Sequence, residues 1–164
     1  MAKDLEDLTI SQRIDEILKE LENEKVIVNE QKLKILIIDD SDTARRAIIR
    51  SLSTKKQIEF IEARNGIEGF MQLGRYNSNI DLIFLDYNMP IMNGSEFLQK
   101  GNEAKVLDGI PIVMCTSVAD KNTVINFLRQ GISAYILKPY NEEEFMKVVQ
   151  SVLLSQKRKK QRII

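Results

Sequence analysis

Two adjacent carboxylates, Asp39 and Asp40, close the apolar run Ile35-Leu36-Ile37-Ile38. Three more chemistry-bearing residues end similar runs: Asp86 after Leu82-Ile83-Phe84-Leu85, Thr116 after Ile112-Val113-Met114-Cys115, and Lys138 after Ala134-Tyr135-Ile136-Leu137. Like charges on neighbouring residues repel, so Asp39 and Asp40 must be solvated, paired or holding a cation. Three carboxylates brought together suit a hard cation with oxygen ligands and open positions, Mg²⁺ or Mn²⁺. Such a cation neutralises phosphate oxygens that carboxylates alone would repel. Lys138 adds a point positive charge and Thr116 a hydroxyl donor, both suited to phosphoryl oxygens. One carboxylate is then left to act as a nucleophile toward phosphorus, forming an acyl phosphate.

For these residues to meet, the runs that precede them must be strands of one sheet. Continuous apolar runs rich in β-branched residues are what strands buried on both faces look like. The pattern predicts strands at 33–39, 57–62, 81–86, 110–116 and 134–138, alternating with helices at 42–53, 65–75, 94–107, 121–131 and 141–155. Ser41 or Asp42 can cap the first of these helices and Asn141 the last, and Glu142, Glu143 and Glu144 suit the positive end of that last helix. Gly131 stands where a helix stops. Gly101 either sits inside its helix or ends it early. Strict alternation implies an α/β fold, a five-stranded parallel sheet with helices on both faces and right-handed crossovers. Ligands then collect outside the carboxyl ends of the strands, where the strand order reverses. Asp39, Asp40 and Asp86 converge there.

Residues 1–32 differ from the rest of the chain. Ile14, Ile17, Leu18 and Leu21 fall on one helical face, Thr9 and Gln12 fit a capping box, and Leu8 is placed as a staple. An amphipathic helix over 10–24 is expected, followed by the apolar patch Val26-Ile27-Val28 and the polar linker Asn29-Glu30-Gln31-Lys32. Its stripe fits either a docking face, including a homodimer through 10–24, or packing on its own chain. The expected organisation is a helical extension and linker at 1–32, a domain at 33–155, and a basic tail at 156–164 containing Lys157-Arg158-Lys159-Lys160. A solvated tail is favoured over a nucleic-acid contact, because so short a basic run without a folded platform reads no sequence.

Composition narrows the chemistry. With 43% hydrophobic and 29% charged residues the chain is of ordinary globular type, and its formal net charge of zero gives no global attraction to nucleic acid or membrane. No run has the length of a transmembrane helix, and the acidic N-terminus lacks a signal-peptide core, so a cytoplasmic protein is expected. One cysteine excludes an internal disulfide, and the absence of histidine excludes His-ligated zinc, a Ser-His-Asp triad and a phosphohistidine on these residues. Cys115 reads as a small core hydrophobe, and Met89-Pro90 as a turn.

Asp39-Asp40, then Asp86-Tyr87-Asn88-Met89-Pro90 with Gly94, then Thr116-Ser117, then Tyr135-Ile136-Leu137-Lys138-Pro139 occur in order, each at the end of a strand. Together they resemble the receiver domain of two-component response regulators, over about three quarters of the chain, and most of all the receivers of chemotaxis. The resemblance implies the flavodoxin-like strand order 2-1-3-4-5. It implies Asp86 as the phosphoacceptor, with Asp40, Asp86 and the Asn88 backbone carbonyl on Mg²⁺ and Asp39 holding metal-bound water. Lys138 would bind a phosphoryl oxygen. Thr116 would move to the new phosphoryl group, and Tyr135 would turn inward into the vacated space. The Lys138-Pro139 peptide would be cis. The implied partners are a histidine kinase or histidine phosphotransfer protein and a protein target read through residues 120–150.

The expectation is therefore a stand-alone phospho-accepting switch, with a phosphorelay intermediate or a regulator working through its N-terminal helix as alternatives. Tyr135 also fits a plain edge-strand aromatic, and Thr116 a plain strand former. The enzyme alternative is a Mg²⁺-dependent phosphatase of the haloacid dehalogenase type. That chemistry wants a second Asp two residues beyond the nucleophile, and Asn88 cannot donate a proton in its place. Val118 and Asn88, each two residues past a strand-end site residue, should border the path of water to the acyl phosphate. An apolar Val118 cannot orient that water, which predicts a long-lived phosphoryl group.

Overall fold

Each of the apolar runs forms a strand, and the five strands pair side by side. The computed structural model describes residues 9–25, 32–53 and 57–161, with side chains at 9–19, 32–53 and 57–156. Two compact units result, one spanning Leu33–Tyr140 and the other comprising the first and last helices.

The larger unit contains β1 (Leu33–Ile38), α2 (Asp42–Leu52), β2 (Ile58–Ala63), α3 (Gly66–Arg75), β3 (Leu82–Asp86), α4 (Gly94–Glu103), β4 (Ile112–Thr116), α5 (Lys121–Arg129) and β5 (Ala134–Leu137). All pairings are parallel, in the order β2-β1-β3-β4-β5, so the strand order reverses beside β1. That reversal puts the exits of β1 and β3 at a topological switch point. β3 and β4 are buried along their whole length, as strands covered on both faces must be. One core cluster brings Leu36, Ile38, Ile83, Leu85 and Met114 from the sheet against Leu73, Phe97, Leu98 and Phe127 from the helices. Asp81 anchors the opposite end of the sheet, its carboxylate accepting the Lys34 N–H at 2.8 Å.

Local sequence sets the helix ends. Ser41, Asn65, Asn93 and Asp120 each accept a backbone N–H in the first turn, and Asn93 with Glu96 completes a capping box. Gly131, at φ 91°, closes α5 by accepting the left-handed conformation that a helix stop requires. α4 stops at Glu103, before the expected 107. Lys105 takes φ 57°, its N–H bonds to Asn102 O, and the Val106 N–H bonds to Gly101 O. Gly101 is thus within the helix and also close to its end. Its missing side chain makes room for Leu107, whose Cδ1 would lie 2.4 Å from an added Cβ.

The second unit pairs α1 (Ile10–Lys25) with α6 (Glu142–Gln161). The capping box of α1 forms as expected: the Thr9 N–H donates to Gln12 Oε1 at 3.0 Å and the Gln12 N–H to Thr9 Oγ1 at 3.3 Å. Ile14, Ile17 and Leu18 are buried within a single chain. Packing on its own chain, one of the two uses expected of this stripe, is present. Leu8, the Leu21 side chain, the patch 26–28 and the linker at 29–31 lie outside the described residues. α6 runs to Gln161, beyond the expected 155, so the basic run 157–160 belongs to its last turns. Lys, Arg and Gln are good helix formers, and cations suit a helix C-terminus. Among the described residues no helix is long and apolar enough to cross a membrane.

Candidate functional site

Three carboxylates meet at the rim of the sheet. Asp39 and Asp40 leave β1, Asp86 ends β3, and one oxygen from each lies within 4.8 Å of the others. β1 and β3 are neighbours, with Ile38 in register with Leu85, so side chains just past those residues converge. Asp39 and Asp86 are buried and Asp40 is exposed. A set of oxygen donors with one open side fits a hard divalent cation that keeps several waters.

Lys138, one residue past β5, reaches into the same group. Its Nζ donates to Asp39 Oδ2 at 2.6 Å and to Asp86 Oδ1 at 3.1 Å. Burial raises the Asp86 pKa; Lys138 works against that rise and the Asp39 charge adds to it. For Lys138 burial favours the neutral amine, but the two carboxylates outweigh it, so its pKa lies above the ordinary value. The Lys138-Pro139 peptide is cis.

The remaining expected residues take different positions. Thr116 is fully buried, and its Oγ1 accepts the Val118 N–H at 3.1 Å. Tyr135 faces outward, 40% exposed, as do its β5 neighbour Leu137 and Leu128 of α5. Asn88 is exposed in the loop after β3. That loop folds back on the site: the Gly94 N–H donates to Tyr87 O at 2.9 Å, and an added Cβ on Gly94 would lie 2.5 Å from Asp86 O. The Tyr87 ring meets Phe127 of α5 with centroids 5.1 Å apart. Cys115 is buried, and burial pushes its thiol up to about 12, as expected of a core residue.

One participant was not expected from the sequence. Arg45 of α2 is 5% exposed and donates from Nη1 to Asp39 O at 2.8 Å and from Nε to Glu62 Oε2 at 2.7 Å, while Nη2 pairs with Asp42. A signal was present: Arg45, Ile48 and Leu52 fall at i, i+3 and i+7, so a charge occupies the buried stripe of its helix.

Fold and site define a doubly wound α/β module with an acidic cluster and a lysine at its topological switch point. Residues 35–150 match the model of the response regulator receiver domain family, and the chain belongs to that family. The chemotaxis protein CheY homolog of Campylobacter jejuni is 34% identical over 121 residues, which cover 74% of this chain and 92% of that protein. A segment of the Helicobacter pylori sensor histidine kinase CheAY is 33% identical over 141 residues, covering 86% of this chain and 17% of the kinase. Among solved structures, the Vibrio cholerae chemotaxis protein CheY4 matches with a TM-score of 0.64 and 28% identity, covering 74% of this chain and 98% of that one. The chain is a two-component signalling receiver of the CheY type, and not the phosphatase weighed against it.

Proposed function

We propose that Asp86 accepts a phosphoryl group from a phosphohistidine of a kinase or phosphotransfer protein, with Mg²⁺ held by Asp40, Asp86 and the Asn88 carbonyl. The observation that carries this reading is the meeting of Asp39, Asp40 and Asp86 within 4.8 Å, with Lys138 bonded to two of them. The P–N bond of the donor breaks as a carboxylate oxygen of Asp86 bonds to phosphorus. The sequence contains no histidine, so the donor lies outside these residues. The match to a segment of a sensor histidine kinase supports a place in such a relay.

The bound cation supplies charge neutralisation between Asp86 and the incoming phosphoryl oxygens. Lys138 gives a second positive charge, passing from its carboxylate partners to a phosphoryl oxygen. Asp39, left by Lys138, would be free to hold water of the bound cation. Thr116 exchanges its bond with the Val118 N–H for one to the phosphoryl group, and Tyr135 turns inward. A local change of charge thereby biases a two-state element. Readout passes through residues 120–150, where Leu128, Tyr135 and Leu137 give a protein partner an apolar surface. Motor control in chemotaxis fits the relatives; a phosphorelay intermediate is the second reading, favoured by the kinase-borne relative.

The test is treatment with Mg²⁺ and either acetyl phosphate or beryllofluoride, followed by amide NMR. The wild type is expected to shift around Asp86, Thr116 and Tyr135, and Asp86→Asn to show no response at all. An equal response in Asp86→Asn would refute Asp86 as the acceptor.

A further inference from the structure

Asp39 has four polar groups, and all four are occupied. Its N–H donates to Ala63 O at 3.0 Å, prolonging the β1–β2 ladder past the end of the strand. Its Oδ1 accepts the Ser41 N–H at 2.9 Å, its Oδ2 accepts Lys138 at 2.6 Å, and its carbonyl accepts Arg45 Nη1 at 2.8 Å. The last of these bonds fixes something the other three do not, the plane of the peptide joining Asp39 to Asp40. That plane sets where the Asp40 carboxylate leaves the backbone. Asp40 is exposed, and an exposed carboxylate left to itself populates several rotamers.

We infer that Arg45 is a positioning residue for the cation site: it holds the Asp39–Asp40 peptide so that the Asp40 carboxylate faces Asp86. The guanidinium suits this task because it is planar and carries five donors in a fixed fork. One arm takes the carbonyl, the next takes Glu62 on β2, and the third takes Asp42 in the first turn of α2. Glu62 stands in register with Ile37, two residues before Asp39, so the fork references the acid pair to the sheet and not only to the helix. A lysine could reach one of these acceptors but could not span all three. Partners one step removed from a metal's ligands are worth roughly ten- to a hundredfold in affinity when lost.

This inference rests on the proposed Mg²⁺ site, and the test separates the two. MgCl₂ is titrated calorimetrically into wild type, Arg45→Lys, Arg45→Gln and Ile48→Ala, and the Asp40 amide resonance is followed by NMR. Ile48 is buried on the same face of α2 and its side chain makes no hydrogen bond, so its truncation controls for lost stability. Mg²⁺ binding is expected to weaken roughly tenfold in both Arg45 variants and to stay unchanged in Ile48→Ala. The Asp40 amide is expected to shift in the Arg45 variants before any metal is added. Wild-type affinity in the Arg45 variants, or an equal loss in Ile48→Ala, overturns the inference and leaves the Mg²⁺ reading intact. Absence of Mg²⁺ binding by the wild type overturns both. If Arg45→Gln does not fold, Glu62→Gln breaks the ion pair from the other side and is expected to give a smaller loss in the same direction; wild-type affinity there overturns the inference.

Discussion

At the exit of β1, four hydrogen bonds hold Asp39, and Arg45 ties that exit to β2 and α2. At the exit of β4, the Thr116 carbonyl accepts the Lys138 N–H at 2.7 Å and its Oγ1 accepts the Val118 N–H, but the next helix, α5, buries a single side chain, Phe127. The helices on the other side bury more: Arg45, Ile48 and Leu52 from α2, and four residues from α4. Both exits belong to one sheet and border one cluster, yet one is tied down by a buried guanidinium and the other, beyond Thr116 itself, is lightly held. A cation site needs ligands that do not move, because each must be in place before the ion arrives. A switch needs an element whose two arrangements differ little in free energy, and such elements come from weakly packed regions. In the proposed switch, positioning falls to β1 and β3 and movement to β4, α5 and β5.

Tightening the β3 side further should break this division most severely. In Gly94→Ala the new Cβ would lie 2.5 Å from Asp86 O and 3.0 Å from Tyr87 Cα, both backbone atoms with little room to yield. A loss of about 1–3 kcal/mol in stability is expected, read by denaturant unfolding. Mg²⁺ affinity should fall with it, because relief of the clash moves the Asp86 backbone. An unchanged affinity would mean that the β3 exit tolerates displacement and that the contrast between the two sides is overstated.

Thr116→Ala probes the lightly held side. It leaves the Val118 N–H without its acceptor, an expected cost of about 1 kcal/mol. Beryllofluoride should still bind at Asp86, since no ligand has been touched, but the Tyr135 ring resonances should no longer respond. If Tyr135 responds as in the wild type, Thr116 does not connect the two.

A quieter difference lies in pH. The folded-state pKa of Asp86 is raised, chiefly by burial, so the folded protein holds that proton more tightly than the unfolded chain does. Its contribution to stability is present at low pH and is lost as pH rises through the carboxylate range. Asp86→Asn removes that dependence. Without divalent cations, the variant should therefore gain on the wild type between about pH 3 and about pH 7. Parallel stability curves over that interval would show that Lys138 fully offsets the burial.

The two sides of the rim were also unequally legible in the sequence. Asp39, Asp40, Asp86, Thr116 and Lys138 each come after an apolar strand, and a strand's period and end are local properties, so their convergence followed from the alternation of elements. The sheet order was implied only by family resemblance, because parallel strands carry no local sign of their neighbours. Helix ends drifted where tertiary packing overrode propensity. α4 stops at Glu103 because Leu107 needs the space beside Gly101, and α6 continues through the basic run to Gln161. Arg45 went unread because two of its three partners lie in β2 and in the turn after β1, and such a network exists only once the chain has folded. Burial of the α1 stripe was legible, but what it packs on was not, since an apolar face reports burial and not its partner.

The smallest effect belongs to Val118, half-buried beside Thr116 on the lightly held side. Hydrolysis of an acyl phosphate needs a water placed in line with the P–O bond, and a group that accepts its proton or fixes its position speeds the step. The isopropyl group of Val118 offers neither. Val118→Glu supplies a carboxylate at that point, and Val118→Ala opens room without adding a polar group. Loss of the phosphoryl group from Asp86, monitored after removal of acetyl phosphate, should quicken a few-fold in one or both variants. Faster loss only in Val118→Glu would assign the effect to orientation of water, and faster loss in both to access. Equal lifetimes in wild type and both variants would remove Val118 from the path of water and leave the lightly held side with a role in movement alone.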